Sequence, residues 1–177
     1  MNLPNWITIS RLLGIPALLA LLHQPTVTER WISLAIFLAV AGTDWLDGYL
    51  ARRLNQVTDL GKFLDPLVDK LLVLSALLAF IELGQIPAWG VALILARELA
   101  IAGWRVNQTK ISGANIWGKL KTISQIAAIS LLIAPLPSNW AIAGPLAFWA
   151  AVALTLISGL IYVMPASGKL TTESKAE

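Results

Sequence analysis

Six apolar stretches, near residues 5–22, 31–53, 61–82, 87–107, 115–134 and 139–163, make up most of this 177-residue chain. Each approaches the ~20 residues that an α-helix needs to cross a hydrocarbon layer, and polar or proline-containing breaks separate them. Apolar residues are 57% of the total and charged ones only 13%, too much apolar surface for a soluble fold of this size to bury. The expected fold is all-α: a polytopic membrane protein with six transmembrane helices.

Six crossings put the connections near 23–30, 83–87 and 135–139 on one side, and both termini with the remaining connections on the other. Of 13 Lys and Arg residues, only Arg30 falls on the first side, so the second side, with both termini, is expected to be cytoplasmic. Trp31, Trp89 and Trp140 stand at the outer helix ends as expected headgroup-layer anchors. The first stretch lacks a basic n-region and a small-residue cleavage site and is read as a retained helix. One domain is expected over 1–166, followed by a short, polar, frayed tail over 167–177. There is no Cys, which removes disulfides, thiolate metal sites and thiol nucleophiles. His23, beside Gln24 and Pro25, is read as a solvated loop residue.

Chemistry concentrates in helices two and three. The apolar part of helix two runs only from Trp31 to Thr43 and that of helix three only from Leu71 to Ile81, so neither spans a bilayer without its acidic end. At ~1.5 Å per residue, Asp44 lies ~20 Å from Trp31 and Asp69 ~18 Å from Ile81, while Asp47 and Asp65 both lie at ~24 Å. The spacings i, i+3 for Asp44 and Asp47 and i, i+4 for Asp65 and Asp69 put each pair on one helix face. Four carboxylates in two adjoining layers of one small volume would repel without cations, and ionised groups at membrane depth require pairing, water or metal. Oxygen ligands without His or Cys favour Mg²⁺ or Mn²⁺, two ions balancing four charges. The small residues Gly42, Gly48, Ala51 and Gly61 leave room for close approach of backbone or ligand.

The run Asp44-Trp-Leu-Asp47-Gly48-Tyr-Leu-Ala51-Arg52, then eight residues, then Gly61-Lys-Phe-Leu-Asp65-Pro-Leu-Val-Asp69 resembles the signature of the CDP-alcohol phosphatidyltransferases, with all eight specified positions filled. Pro4-Asn5-Trp-Ile-Thr8-Ile-Ser-Arg11 looks like that family's N-terminal element. Ala96-Arg97-Glu98 and Gly118-Lys119-Leu-Lys121-Thr122 look like its branch that uses glycerol 3-phosphate. The resemblance implies that Asp44, Asp47, Asp65 and Asp69 bind two metal ions, that Gly48, Ala51, Arg52 and Gly61 surround the CDP group, and that Asp69 is the base. It also implies attack by an acceptor hydroxyl on the β-phosphorus of CDP-diacylglycerol with CMP leaving, an inner-membrane enzyme with its site on the cytoplasmic side, and a homodimer among membrane lipids. No nucleic-acid partner is expected.

An acceptor that carries its own phosphate needs cations, and Arg97, Arg105, Lys119 and Lys121 supply them. Arg97 and Arg105 share a helical face, whereas Lys119 and Lys121, two apart, cannot both point inward. Each is also open to a blander reading, since cytoplasmic cations set topology and bind anionic headgroups in any membrane protein. Inositol phosphate, serine and phosphatidylglycerol stay open as acceptors. A cation or proton transporter is the alternative of another class. It is disfavoured because the acids gather at one face, with no continuing acidic path expected through helices four to six.

Overall fold

The helices form where the apolar runs predict them, and identifiable local devices end them. The computed structural model describes the backbone of residues 3–53, 59–106 and 116–173 and the side chains of 10–43, 67–104 and 116–161. Within these residues the fold is all-α: α1 (Leu3–Leu22), α2 (Val27–Arg53), α3 (Asp59–Glu82), α4 (Ala88–Val106), α5 (Ile116–Ile133) and α6 (Ala143–Glu173), with a 3₁₀ turn, Ser138–Trp140, ahead of α6.

Helix α2 starts before its apolar run because Thr26 and Glu29 form a capping box. The Thr26 amide donates to Glu29 Oε2 at 2.7 Å, and the Glu29 amide donates back to Thr26 Oγ1 at 3.3 Å, so two otherwise orphaned donors are satisfied. Helix α3 ends in a Schellman motif. The Gln85 amide donates to the Phe80 carbonyl and the Gly84 amide to the Ile81 carbonyl, each at 3.0 Å. Gly84 has φ +67°, the left-handed conformation that glycine adopts without a Cβ penalty. Two further boundaries differ from expectation. The last apolar run opens as the 3₁₀ turn and becomes α-helical only at Ala143, and α6 continues to Glu173, through much of the segment expected to fray.

Helices α5 and α6 form the most extensive pairing, α1 packs on both α2 and α3, and α4 lies against α6. At the α4–α6 crossing a Cβ on Gly90 would sit 2.8 Å from the Phe148 ring, so this contact depends on the glycine. Leu18, Phe37, Leu77, Phe80, Ile129 and Phe148 fill the interior. On the outside every helix presents a large apolar side chain: Leu13, Leu38, Leu78, Leu99, Ile123 and Leu160 are 46–70% exposed. Apolar surface on all sides of a bundle suits lipid and is costly in water. Two helical segments, Ile116–Ile133 and Ser138–Ile161, are by themselves long and apolar enough to cross a membrane among the described residues.

The connections after α1, α3 and α5 meet at one end, where Pro25, Arg30, Gln85, Leu136 and Pro145 help line a cavity of ≈ 460 Å³. Arg30 Nη1 donates to the Leu132 carbonyl at 3.3 Å, satisfying an acceptor in the last turn of α5. His23 Nδ1 lies 3.6 Å from Glu82 Oε1 at the same end, both largely exposed, in keeping with a solvated histidine.

Candidate active site

The four aspartates stand at the other end of the bundle. The α2 backbone carries Asp44, Asp47, Gly48, Ala51 and Arg52, and the α3 backbone carries Gly61, Asp65 and Asp69. Of these, the Asp69 side chain is described; the side chains of the other motif residues, and that of Arg105 in α4, lie outside the described residues. Gly42, two residues before the motif, has nothing among the described residues within 4 Å of the place its Cβ would take.

Asp69 meets a partner from the first helix. Arg11 Nη1 donates to Asp69 Oδ1 at 2.9 Å, with the Arg11 side chain 2% exposed and that of Asp69 39%. Arg11 lies ~17 Å from the Leu22 end of α1 and Asp69 ~20 Å from the Glu82 end of α3, so antiparallel packing brings them to one level. The guanidinium fixes the carboxylate's direction, and the partial exposure leaves it within reach of a ligand. Sequence reading placed Arg11 among the cytoplasmic cations and in the N-terminal element but assigned it no partner; its depth within an apolar helix was the available signal.

The second half of the site lies on α4, α5 and α6. Glu98 Oε1 accepts from Arg97 Nη1 at 2.9 Å and from Lys121 Nζ at 2.6 Å, all three side chains being 11–16% exposed. Arg97 Nη2 donates to Ser158 Oγ at 2.8 Å, and Ser158 donates to the Thr155 carbonyl at 3.1 Å. Helix α3, which carries Asp69, packs against both α4 and α5, so this cluster and the acidic end of α3 lie at the same end of the bundle. Of the two expected lysines, Lys121 turns into the bundle and Lys119 is exposed, as their two-residue separation requires.

Glu98 is an acid on α4, one of the helices through which no continuing acidic path is expected. It lies at the same end as the aspartates and is bound to two cations, so it adds to one cluster and extends no path across the bundle. The sequence reading names Glu98 only as part of a motif and gives it no partner, because neighbours in a helix such as Arg97 and Glu98 do not ordinarily face one another.

Asp69, aimed by a buried guanidinium and adjoining a cationic cluster, forms a site suited to anionic, phosphate-bearing substrates at the end of an apolar bundle. The CDP-alcohol phosphatidyltransferase profile matches residues 1–157, and the chain belongs to that family. Among its relatives, the CDP-diacylglycerol–glycerol-3-phosphate 3-phosphatidyltransferase of Bacillus subtilis is 41% identical, over 91% of this chain and 93% of its own length. The proteins of the same name from Pseudomonas fluorescens and Salmonella choleraesuis are 37% and 38% identical, covering 100% and 96% of this chain and 96% and 97% of theirs.

Proposed function

We propose that this protein is a phosphatidylglycerophosphate synthase, transferring the phosphatidyl group of CDP-diacylglycerol to glycerol 3-phosphate with release of CMP. The observation that carries the reading is the Arg97–Glu98–Lys121 cluster, on helices packed against α3 and at the same end of the bundle as Asp69: cations suited to an acceptor with its own phosphate, on the side of a candidate base. The full-length relatives bear the name of this activity.

In this reading the acceptor hydroxyl oxygen bonds to the β-phosphorus, the bond from that phosphorus to the CMP oxygen breaks, and CMP leaves with the electron pair. Asp69 takes the hydroxyl proton, with Arg11 holding its carboxylate in place. Arg97 and Lys121 bind the acceptor phosphate, with Arg105 a further cation on α4 and Lys119 at the surface. Gly48, Ala51, Arg52 and Gly61 surround the CDP group. Asp44, Asp47, Asp65 and Asp69, an oxygen-only set whose described member is reachable by solvent, would hold two Mg²⁺ or Mn²⁺ ions; bound there, such ions would supply charge neutralisation for the diphosphate and the departing CMP.

All six helices span the membrane in this reading. Helices α2 and α3 include their acids at the cytoplasmic interface, both termini are cytoplasmic, and the protein resides in the inner membrane as a homodimer. The exposed apolar residue on every helix and the single outer arginine support that placement. A lipid substrate enters between helices while its head reaches water, which accounts for a site near the interface and away from the mid-plane.

The test is CMP release in proteoliposomes with CDP-diacylglycerol and Mg²⁺ or Mn²⁺, comparing glycerol 3-phosphate, inositol phosphate, serine and phosphatidylglycerol. Turnover is expected with glycerol 3-phosphate alone and is expected to vanish in Asp44→Asn. Turnover with another acceptor would reassign the substrate, and wild-type rates in Asp44→Asn would remove the metal mechanism.

A further inference from the structure

We propose that Glu98 is a positioning residue: its carboxylate holds Arg97 and Lys121 together as a preformed seat for the acceptor's phosphate monoester. The inference rests on the acceptor reading above and deepens it.

A single oxygen, Glu98 Oε1, accepts from both cations, at 2.9 Å and 2.6 Å. That shared contact sets the distance between a guanidinium on α4 and an ammonium on α5. Helix α6 braces the Arg97 member of the pair. Ser158, 3% exposed, accepts from Arg97 Nη2 at 2.8 Å. A Cβ on Gly159 would lie 3.0 Å from Arg97 Cγ and 3.3 Å from its Nε, so the arginine stem runs across the glycine and is confined there. Beneath this, Gln125 Nε2 donates to Thr155 Oγ1 at 3.1 Å in the buried α5–α6 contact, tying together the two helices that carry Lys121 and Ser158.

Arg and Lys carry large rotamer entropy, and a site that has already ordered them loses less on binding. One carboxylate cannot occupy the five N–H donors of a guanidinium together with the three of an ammonium. With two cations to one carboxylate, the cluster keeps a surplus of positive charge, suited to a phosphate monoester that is close to doubly ionised at neutral pH.

A carboxylate that merely balanced charge would have the opposite effect on substrate binding: its removal would strengthen the pull on the phosphate. The experiment uses the full-length protein in proteoliposomes and measures KM for glycerol 3-phosphate, KM for CDP-diacylglycerol, and kcat. Glu98→Gln is expected to raise the glycerol 3-phosphate KM about tenfold, with the CDP-diacylglycerol KM and kcat held within about twofold, the pattern of a lost binding contribution confined to one substrate. An unchanged or lowered glycerol 3-phosphate KM overturns the proposal. Should Glu98→Gln not accumulate as folded protein, Ser158→Ala, which removes one uncharged contact to Arg97, carries the same test: a selective rise supports the proposal and an unchanged KM overturns it. Wild-type protein that releases no CMP with glycerol 3-phosphate would instead sink the acceptor reading and this inference with it, whereas unchanged KM values beside an active wild type sink this inference alone.

Discussion

At the scale of single residues, Arg11 and Asp69 divide one ion pair unequally. The arginine is enclosed and the aspartate is partly in solvent, so deleting the acid takes a carboxylate from a buried guanidinium, whereas deleting the base leaves a carboxylate that water reaches. Asp69→Ala is therefore expected to destabilise the fold toward the lower end of the ~3–5 kcal/mol typical of a broken buried pair, because Asp69 is itself partly solvated. Asp69→Asn, which keeps an acceptor oxygen for the guanidinium, is expected to cost less while still abolishing turnover. Thermal unfolding in detergent checks the order; equal midpoints for the two variants would mean that Arg11 does not depend on Asp69. The motif spacing made Asp69 legible in the sequence, because a carboxylate in an apolar helix is itself a signal. Its partner was not, since an ion pair between residues 58 apart depends on how α1 and α3 lie together, and no local pattern encodes that. Glu98 shows the same gap at shorter range: its partner Lys121 is on another helix, and only the packing of α4 on α6 and α6 on α5 brings them within reach.

At the scale of elements, helix existence was legible and helix ends were legible only where capping chemistry was written out. Thr26 with Glu29, and Gly84 at the end of α3, follow recognised side-chain and glycine preferences. The start of α6 is not marked this way, because the apolar residues around Ser138–Trp140 serve a turn as readily as a helix. Thr26→Ala is expected to cost about 1 kcal/mol. The same cap has a pH dependence. Hydrogen bonds from the Thr26 hydroxyl, then from its amide, hold the Glu29 carboxyl below its ordinary pKa. A folded-state value below the unfolded one gives a contribution that is complete above the ordinary carboxylate range and is lost as pH falls through the lowered value. The wild type is thus expected to exceed Glu29→Gln in thermal midpoint at pH 7, with the gap closing once the pH passes below ~4. A gap that persisted in acid would assign the difference to shape and not to charge.

For the whole molecule, the absence of cysteine makes orientation directly measurable. Gln24→Cys and Ser138→Cys are expected to react with an impermeant maleimide in intact cells, and Lys119→Cys only after the membrane is opened; the reverse pattern would invert the proposed topology. Apolar run lengths and charge asymmetry carried the six-helix arrangement from the sequence, but the neighbours of each helix required the packed structure, since apolar side chains face both the interior and the outside on every one. The contact between α1 and α3 also has a bearing on biogenesis. Arg11 emerges from the ribosome well before Asp69 does, so the ion pair that ties α1 to α3 is one the chain can close only after its third helix has been made.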